Sequence, residues 1–304
     1  MDKVIVICGP TASGKTRLSI ELAKKINGEI VSCDSMQIYK DMTIGTAKPT
    51  FEEMQGIKHY MIDCVFPEER YSVADYKKEA TKAIKEILTK GKVPIIVGGT
   101  GLYLESLIYG IEYEEIKIDI EYRNHLEKVE QEKGLQFLYE EAEKIDEQAT
   151  KKISPNDKKR IFRILEIYKA TGKTKTQLEQ DSRKQKPEFN YVLFGINMDR
   201  QKLYERINKR VDIMIENGLI DEVINLSKKY NEFPTAMQGL GYKEVLEYLQ
   251  GKLTQEEMIE KIKMMTRRYA KRQLTWFRKY DNITWLDGLK SVEDNIKIIE
   301  SIAL

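Results

Sequence analysis

Short apolar runs separated by amphipathic stretches mark the first third of the chain. Lys3 to Cys8 reads Lys-Val-Ile-Val-Ile-Cys, an unbroken branched run that suits a strand buried on both faces of a parallel sheet. A glycine-containing turn follows, and then Lys15 to Ile26, where Leu18, Leu22 and Ile26 recur on one helical face. Glu29 to Cys33 is a second strand and His59 to Ile62 a candidate third. Ser72 and Asp75 have the spacing of a capping box for a helix running to about Lys90. Pro94 to Val97 is a further buried strand stopping at Gly98-Gly99, and Tyr191 to Asn197 alternates like another. Beyond it the chain reads as helical almost to its end, with Thr254 and Glu257 capping a long helix. Strands alternating with helices predict an α/β fold built on a parallel sheet.

The stretch from about Tyr113 to Pro187 breaks this pattern. It is rich in Glu and Lys, follows helical periodicity and offers no convincing strand, so it reads as a helical insertion between two sheet strands. Ser154, Pro155 and Asp157 supply N-cap, first-position and third-position signals for one of its helices. The expected organisation is residues 1–112 as the first part of the core, 113–188 as the insertion, and 189–304 as core completion with a helical, basic C-terminal region.

Composition narrows the class. The 304 residues are 41% hydrophobic and 33% charged, with a formal net charge of +2, and mean hydropathy is -0.51. These values describe a charge-rich globular chain, and it is expected in the cytoplasm, off the membrane and as a monomer. The apolar runs are far too short to span a bilayer. Cys8, Cys33 and Cys64 form no metal or disulfide pattern, and His59 and His125 are too few for a His-based centre. Whole-chain charge says little about a polyanionic partner, but Arg267, Arg268, Lys271, Arg272, Arg278 and Lys279 cluster without an intervening acid.

The chemistry concentrates in Gly9-Pro10-Thr11-Ala12-Ser13-Gly14-Lys15-Thr16, which matches G-x-x-x-x-G-K-[ST] between an apolar strand and a helix. Backbone N–H groups can converge there on phosphate oxygens, Lys15 adds a positive charge, and the Thr16 hydroxyl can hold Mg²⁺. The motif admits ATP, yet it reads only phosphates, so a diphosphate leaving group fits equally. The strand ending at Val97 delivers Gly98-Gly99-Thr100 instead of the acid that a hydrolytic site would place there. Asp34 ends the second strand at the edge where open α/β sheets bind ligands, as a metal ligand, a base or a turn residue. Gln37 adds an amide able to pair with a base edge. Arg160 and Arg163 share a helical face, as do Arg268, Arg272 and Thr275, with Trp276 close by as either RNA platform or core residue.

These segments occur in a recognisable order. The phosphate loop, Asp34-Ser-Met-Gln-Ile-Tyr, Ile44-Gly-Thr-Ala-Lys-Pro and Gly98-Gly-Thr-Gly-Leu-Tyr are followed by Pro155-Asn-Asp-Lys-Lys-Arg-Ile-Phe-Arg, Gln238-Gly-Leu-Gly-Tyr-Lys and Lys271-Arg-Gln-Leu-Thr-Trp-Phe-Arg. Over essentially its whole length the chain resembles the bacterial tRNA dimethylallyltransferases. The resemblance implies transfer of a dimethylallyl group from its diphosphate to N6 of adenosine 37 beside the tRNA anticodon, with release of pyrophosphate and help from Mg²⁺. It implies catalytic roles for Asp34, as base, and for Thr100 and Arg123, with Thr100 bonding the diphosphate or Asp34. It also implies tRNA contacts at Asp34, Ser35, Met36 and Gln37, at Lys159, Arg160, Ile161, Phe162 and Arg163, at Gln238, Gly239, Leu240, Gly241, Tyr242 and Lys243, and at Lys271, Arg272, Gln273, Leu274, Thr275, Trp276, Phe277 and Arg278. The helical insertion would grip the anticodon stem. The competing readings are a small-molecule P-loop kinase, a prenyltransferase acting on free adenine nucleotides, and an RNA-binding protein that only senses nucleotide. The zinc finger of eukaryotic relatives is not expected, since no Cys follows Cys64 and no His follows His125.

Overall fold

The computed structural model describes residues 1–111, 119–182 and 186–303. Of the expected domain ranges, residues 112–118, 183–185 and 304 lie outside the described residues, and the 112/113 boundary falls among them. The chain separates into two compact units, residues 1–108 with 188–304, and residues 109–187.

The first unit begins with β1 (Lys3–Cys8), α1 (Lys15–Lys25), β2 (Gly28–Cys33), α2 (Phe51–Met54), β3 (His59–Tyr60), α3 (Val73–Thr89), β4 (Val93–Gly98) and α4 (Gly101–Ile108). The second unit carries α5 (Ile120–Lys133), α6 (Leu135–Ile145), α7 (Glu147–Thr150), α8 (Lys158–Thr171) and α9 (Lys175–Ser182). The chain then returns to the first unit with β5 (Asn190–Asn197), α10 (Arg200–Glu216), α11 (Leu219–Lys229), α12 (Tyr242–Leu249), α13 (Gln255–Phe277), β6 (Ile283–Asp287) and α14 (Val292–Ala303).

The six strands form one parallel sheet in the order β3-β2-β4-β1-β5-β6. Its central strands β1 and β4 are apolar over Val4 to Cys8 and Val93 to Val97 because both faces are covered, and their alternation sorts side chains into two layers. Val4, Val6 and Cys8 of β1 join Tyr76, Ala80 and Ile84 of α3 on one face. Ile5 and Ile7 join Leu18 and Leu22 of α1 and Ile296 and Ile299 of α14 on the other. The register aligns the carboxyl ends: Cys8 of β1 and Cys33 of β2 both stand opposite Gly98 of β4. The phosphate loop, Asp34 and Gly99-Thr100 therefore leave the sheet side by side.

Two local expectations are corrected. The chain after β5 is not all helical, because Ile283–Asp287 adds an edge strand beside β5. Only Leu286 of that strand is fully buried, so its sequence carries little of the alternation that marks a strand. The helix expected to open at Ser154 instead has Asp157 as N-cap, its carboxylate accepting from the Arg160 N–H at 3.2 Å. Ser154 accepts from the Asn156 N–H at 3.2 Å and closes a turn just upstream. The capping boxes of α3 and α13 form as spaced. Among the described residues no helix is long and apolar enough to cross a membrane.

Candidate active site

Gly14 occupies the N-cap of α1 at φ 94, a left-handed conformation that costs glycine little and lets the loop turn directly into the helix. The loop thus presents its N–H groups at a helix N-terminus, where the dipole favours an anion. Lys15 folds back over it, donating to the carbonyls of Gly9 at 3.0 Å and Pro10 at 2.7 Å. Burial first, and then the nearby Arg210, press the Lys15 ammonium from its ordinary value down to about 8, while Asp34 pulls the other way. Thr16 stands exposed in the first helical turn. Ser13 is 2% exposed, and its hydroxyl has no hydrogen-bond partner among the described residues. A buried hydroxyl without a protein partner, close to a helix N-terminus, suits an anionic acceptor.

Residues far along the chain complete this wall. Gln273 of α13 accepts from the Thr11 N–H at 2.9 Å and donates to the Gly99 carbonyl at 2.9 Å, tying the two glycine-rich loops together. A Cβ at Gly99 would lie 2.1 Å from the Gln273 amide nitrogen, so this approach needs glycine. Arg210 of α10 donates to the Thr11 hydroxyl at 3.2 Å, and burial lowers its pKa from the ordinary guanidinium value. Lys15, Arg210, Asp34, Gln37, Tyr269 and the loop itself line one cleft of about 570 Å³. All of it belongs to the first unit.

Asp34 lies at the end of β2, its Oδ1 accepting from the Met36 N–H at 2.9 Å and, more distantly, the Gln37 N–H at 3.4 Å. Those bonds form an Asx turn that fixes the carboxylate at the cleft, while Oδ2 takes no hydrogen bond among the described residues. Thr100 does not bond Asp34. Its hydroxyl accepts from the Ser35 N–H at 3.0 Å and donates to the Ser35 hydroxyl at 3.4 Å. Gln37 is likewise engaged, donating to the Thr46 and Ala47 carbonyls at 3.3 Å each and accepting from the Ser32 hydroxyl at 3.1 Å.

The remaining expected site residues divide by burial. Arg123 makes a bidentate pair with the buried Glu166 of the second unit, at 2.7 and 3.1 Å. Lys159 and Arg160 are exposed at the start of α8 and Arg163 is half-buried, whereas Ile161 and Phe162 belong to that unit's core. Gln238 and Lys243 are exposed; Gly239, Gly241 and Tyr242 are buried, and Leu240 is intermediate. Lys271, Arg272, Thr275 and Arg278 are exposed on α13 and its cap, Leu274 and Trp276 are half-buried, and Gln273 and Phe277 are buried. Within the expected tRNA-contacting segments the side chains of Ile161, Phe162, Tyr242, Gln273 and Phe277 are buried. A helix that displays basic residues must spend its opposite face on packing. Arg210 and Tyr269, both at the cleft, escaped the sequence reading, since neither stands in a motif. Among the described residues no group of three or more His, Cys, Asp or Glu could hold a metal by itself.

A family model described as IPP transferase matches residues 37–280, beginning after the phosphate loop. The chain is 53% identical to a tRNA dimethylallyltransferase of Acetivibrio thermocellus, over 99% of this chain and 96% of that one. It is 51% identical to a tRNA dimethylallyltransferase of Carboxydothermus hydrogenoformans, over 99% and 96%. Among solved structures it is similar to the full-length tRNA isopentenylpyrophosphate transferase of Bacillus halodurans, with a TM-score of 0.75, 44% identity, and coverage of 100% of this chain and 96% of that chain. A eukaryotic dimethylallyltransferase captured acting on tRNA superposes with a TM-score of 0.80 at 35% identity, covering 95% of this chain and 74% of that chain. A phosphate loop, a carboxylate and a guanidinium around one cleft, together with these similarities along nearly the whole chain, establish that it belongs to the IPP transferase family.

Proposed function

We propose that the protein transfers a dimethylallyl group from dimethylallyl diphosphate to N6 of adenosine 37 in the tRNA anticodon loop, releasing pyrophosphate. The observation that carries this reading is the placement of the phosphate loop and Asp34 on one cleft. The donor's diphosphate lies against the loop N–H groups, Ser13, Lys15 and Arg210. As the allylic carbon–oxygen bond breaks, negative charge grows on the diphosphate, and these preorganised donors stabilise it without rearranging. The adenine amine is a weak nucleophile because its lone pair is delocalised into the ring. Asp34 takes its proton as the nitrogen–carbon bond forms, a role its unengaged Oδ2 leaves open.

Mg²⁺ fits as helper. The Thr16 hydroxyl lines the cleft, one hard oxygen that needs diphosphate oxygens and water to fill an octahedral shell. Bound there, the ion would neutralise part of the leaving-group charge. Lys159, Arg160, Arg272 and Arg278 offer exposed cationic groups to the tRNA backbone. Adenosine 37 lies in a loop, so presenting its base outside the stack costs less than extrusion from a duplex.

The decisive experiment incubates the protein, Mg²⁺ and dimethylallyl diphosphate with an anticodon stem-loop carrying adenosines at positions 36 to 38. One adenosine should gain a dimethylallyl group by mass. Absence of the gain, together with ATP turnover, would replace this reading by a kinase. Asp34→Asn should lower kcat by about 10²–10⁴-fold, with affinity for an unreactive diphosphate analogue nearly unchanged. A fully active variant would remove Asp34 from the base role.

A further inference from the structure

Glu222 lies in the first turn of α11, far from every motif in the sequence. Its carboxylate Oε2 accepts from the backbone N–H groups of Thr43 at 2.9 Å and Ile44 at 2.7 Å. Oε1 accepts from the Gly45 N–H at 3.1 Å and from the Tyr242 hydroxyl at 2.6 Å. Three successive N–H groups converging on one anion form a nest whose anion the protein supplies itself. The Tyr242 ring lies so close over Gly45 that a Cβ there would sit 2.5 Å from it. Ala47, two residues on, holds φ 48, a conformation that persists in a non-glycine residue only when its surroundings impose it.

The pinned loop has a chemical consequence. Its Thr46 and Ala47 carbonyls each accept from the Gln37 amide at 3.3 Å, while the Ser32 hydroxyl donates to Gln37 Oε1. Only the amide nitrogen can face two carbonyls, so the orientation of this amide is fixed by its neighbours. Both amide protons are spent within the protein. What Gln37 has left at the cleft wall is a carbonyl lone pair.

We infer that Glu222 is a positioning residue that selects an amino-purine. By clamping residues 43–45 it holds the Thr46 and Ala47 carbonyls against Gln37 and leaves that side chain an acceptor only, matched to an exocyclic amine and opposed to a ring carbonyl at the same place. This rests on the prenyl-transfer reading and deepens it. The reacting amine carries two hydrogens: one passes to Asp34 as the nitrogen–carbon bond forms and the carbon–oxygen bond to pyrophosphate breaks, and the other stays on nitrogen. Gln37 Oε1 accepts the hydrogen that stays. A 6-keto purine would set a lone pair against a lone pair there.

The test uses the full chain and anticodon stem-loops carrying adenosine or inosine at position 37, with binding measured without the diphosphate donor. Wild type should prefer adenosine by about 10–100-fold, the factor expected from one buried hydrogen bond left unmade. Glu222→Gln turns one carboxylate oxygen into an NH₂ group facing N–H donors. It should bring the preference toward unity, lower kcat at least tenfold and speed amide exchange of residues 43–47, with diphosphate-analogue affinity held within twofold. Tyr242→Phe, which removes one hydrogen bond and keeps the ring, should shift all three in the same direction by less, and it carries the test if Glu222→Gln fails to fold. An unchanged preference despite faster exchange at 43–47 overturns the inference, as does loss of diphosphate affinity in step with kcat. A wild type that keeps the preference but transfers nothing supports amine selection while sinking the prenyl-transfer reading.

Discussion

Burial holds the Lys15 ammonium near pKa 8 in the free protein, with Arg210 adding to the effect. A bound diphosphate supplies the negative charge that the site lacks and raises that value again. Between about pH 8 and the unfolded value near 10.5 the unfolded chain binds more protons at Lys15 than the folded one. Stability from this group therefore rises with pH across that window, and its burial penalty is fully present below it. Binding runs the other way, since loss of the Lys15 charge weakens the diphosphate site as pH climbs past 8. Titrating an unreactive diphosphate analogue at about pH 9 in two buffers of different ionisation enthalpy should reveal uptake of up to one proton. Lys15→Met should abolish that uptake; uptake that persists would place the proton elsewhere. The loop and Asp34 were legible in the sequence because their chemistry is written in adjacent residues. Arg210 was not, since the bond that makes it functional spans 199 positions, and within α10 it is one cation among several.

Helix α13 joins the two halves of the wall that holds the diphosphate. Its exposed side carries Arg268, Lys271 and Arg272, and its buried side carries Ala270, Gln273 and Phe277. The run of cations suggested a surface element, whereas Gln273 reaches inward to both glycine-rich loops. Gln273→Ala leaves the Thr11 N–H and the Gly99 carbonyl without their partner. It should cost about 1–3 kcal/mol in stability, read as a fall in thermal midpoint. It should also weaken diphosphate-analogue binding about tenfold or more, because the loop loses its brace. A variant that binds the analogue like wild type would show that the loop is held without α13. Sequence periodicity located this helix and its capping box but left its rotation about the axis open, since cations and apolar residues share its last turns. A similar ambiguity surrounds the start of α8: Ser154 and Asp157 are both capable caps, and the second takes the N-cap while Ser154 closes the turn upstream.

Each compact unit has its own buried cluster. In residues 109–187 it is formed by Leu126, Leu138, Ile161, Phe162 and Leu165, and no residue of the cleft belongs to that unit. Phe162→Ala should destabilise the helical unit by about 3–5 kcal/mol and speed exchange of amides in α6 and α8. Diphosphate-analogue affinity should stay within twofold. A parallel loss of that affinity would show that the two units do not fold as separate cores.

The sequence by itself determined the alternation of strands and helices, the phosphate loop and the acid that ends β2. Each of these rests on neighbours within a few positions, where backbone geometry and spacing are enough. The tertiary structure alone decided that Arg210, Gln273, Tyr269 and Glu222 converge on the loops after β1, β2 and β4. It also decided which residues of the basic helices face solvent. Those assignments depend on contacts between segments up to 262 residues apart, and local periodicity carries no record of which distant helix will cover a given loop.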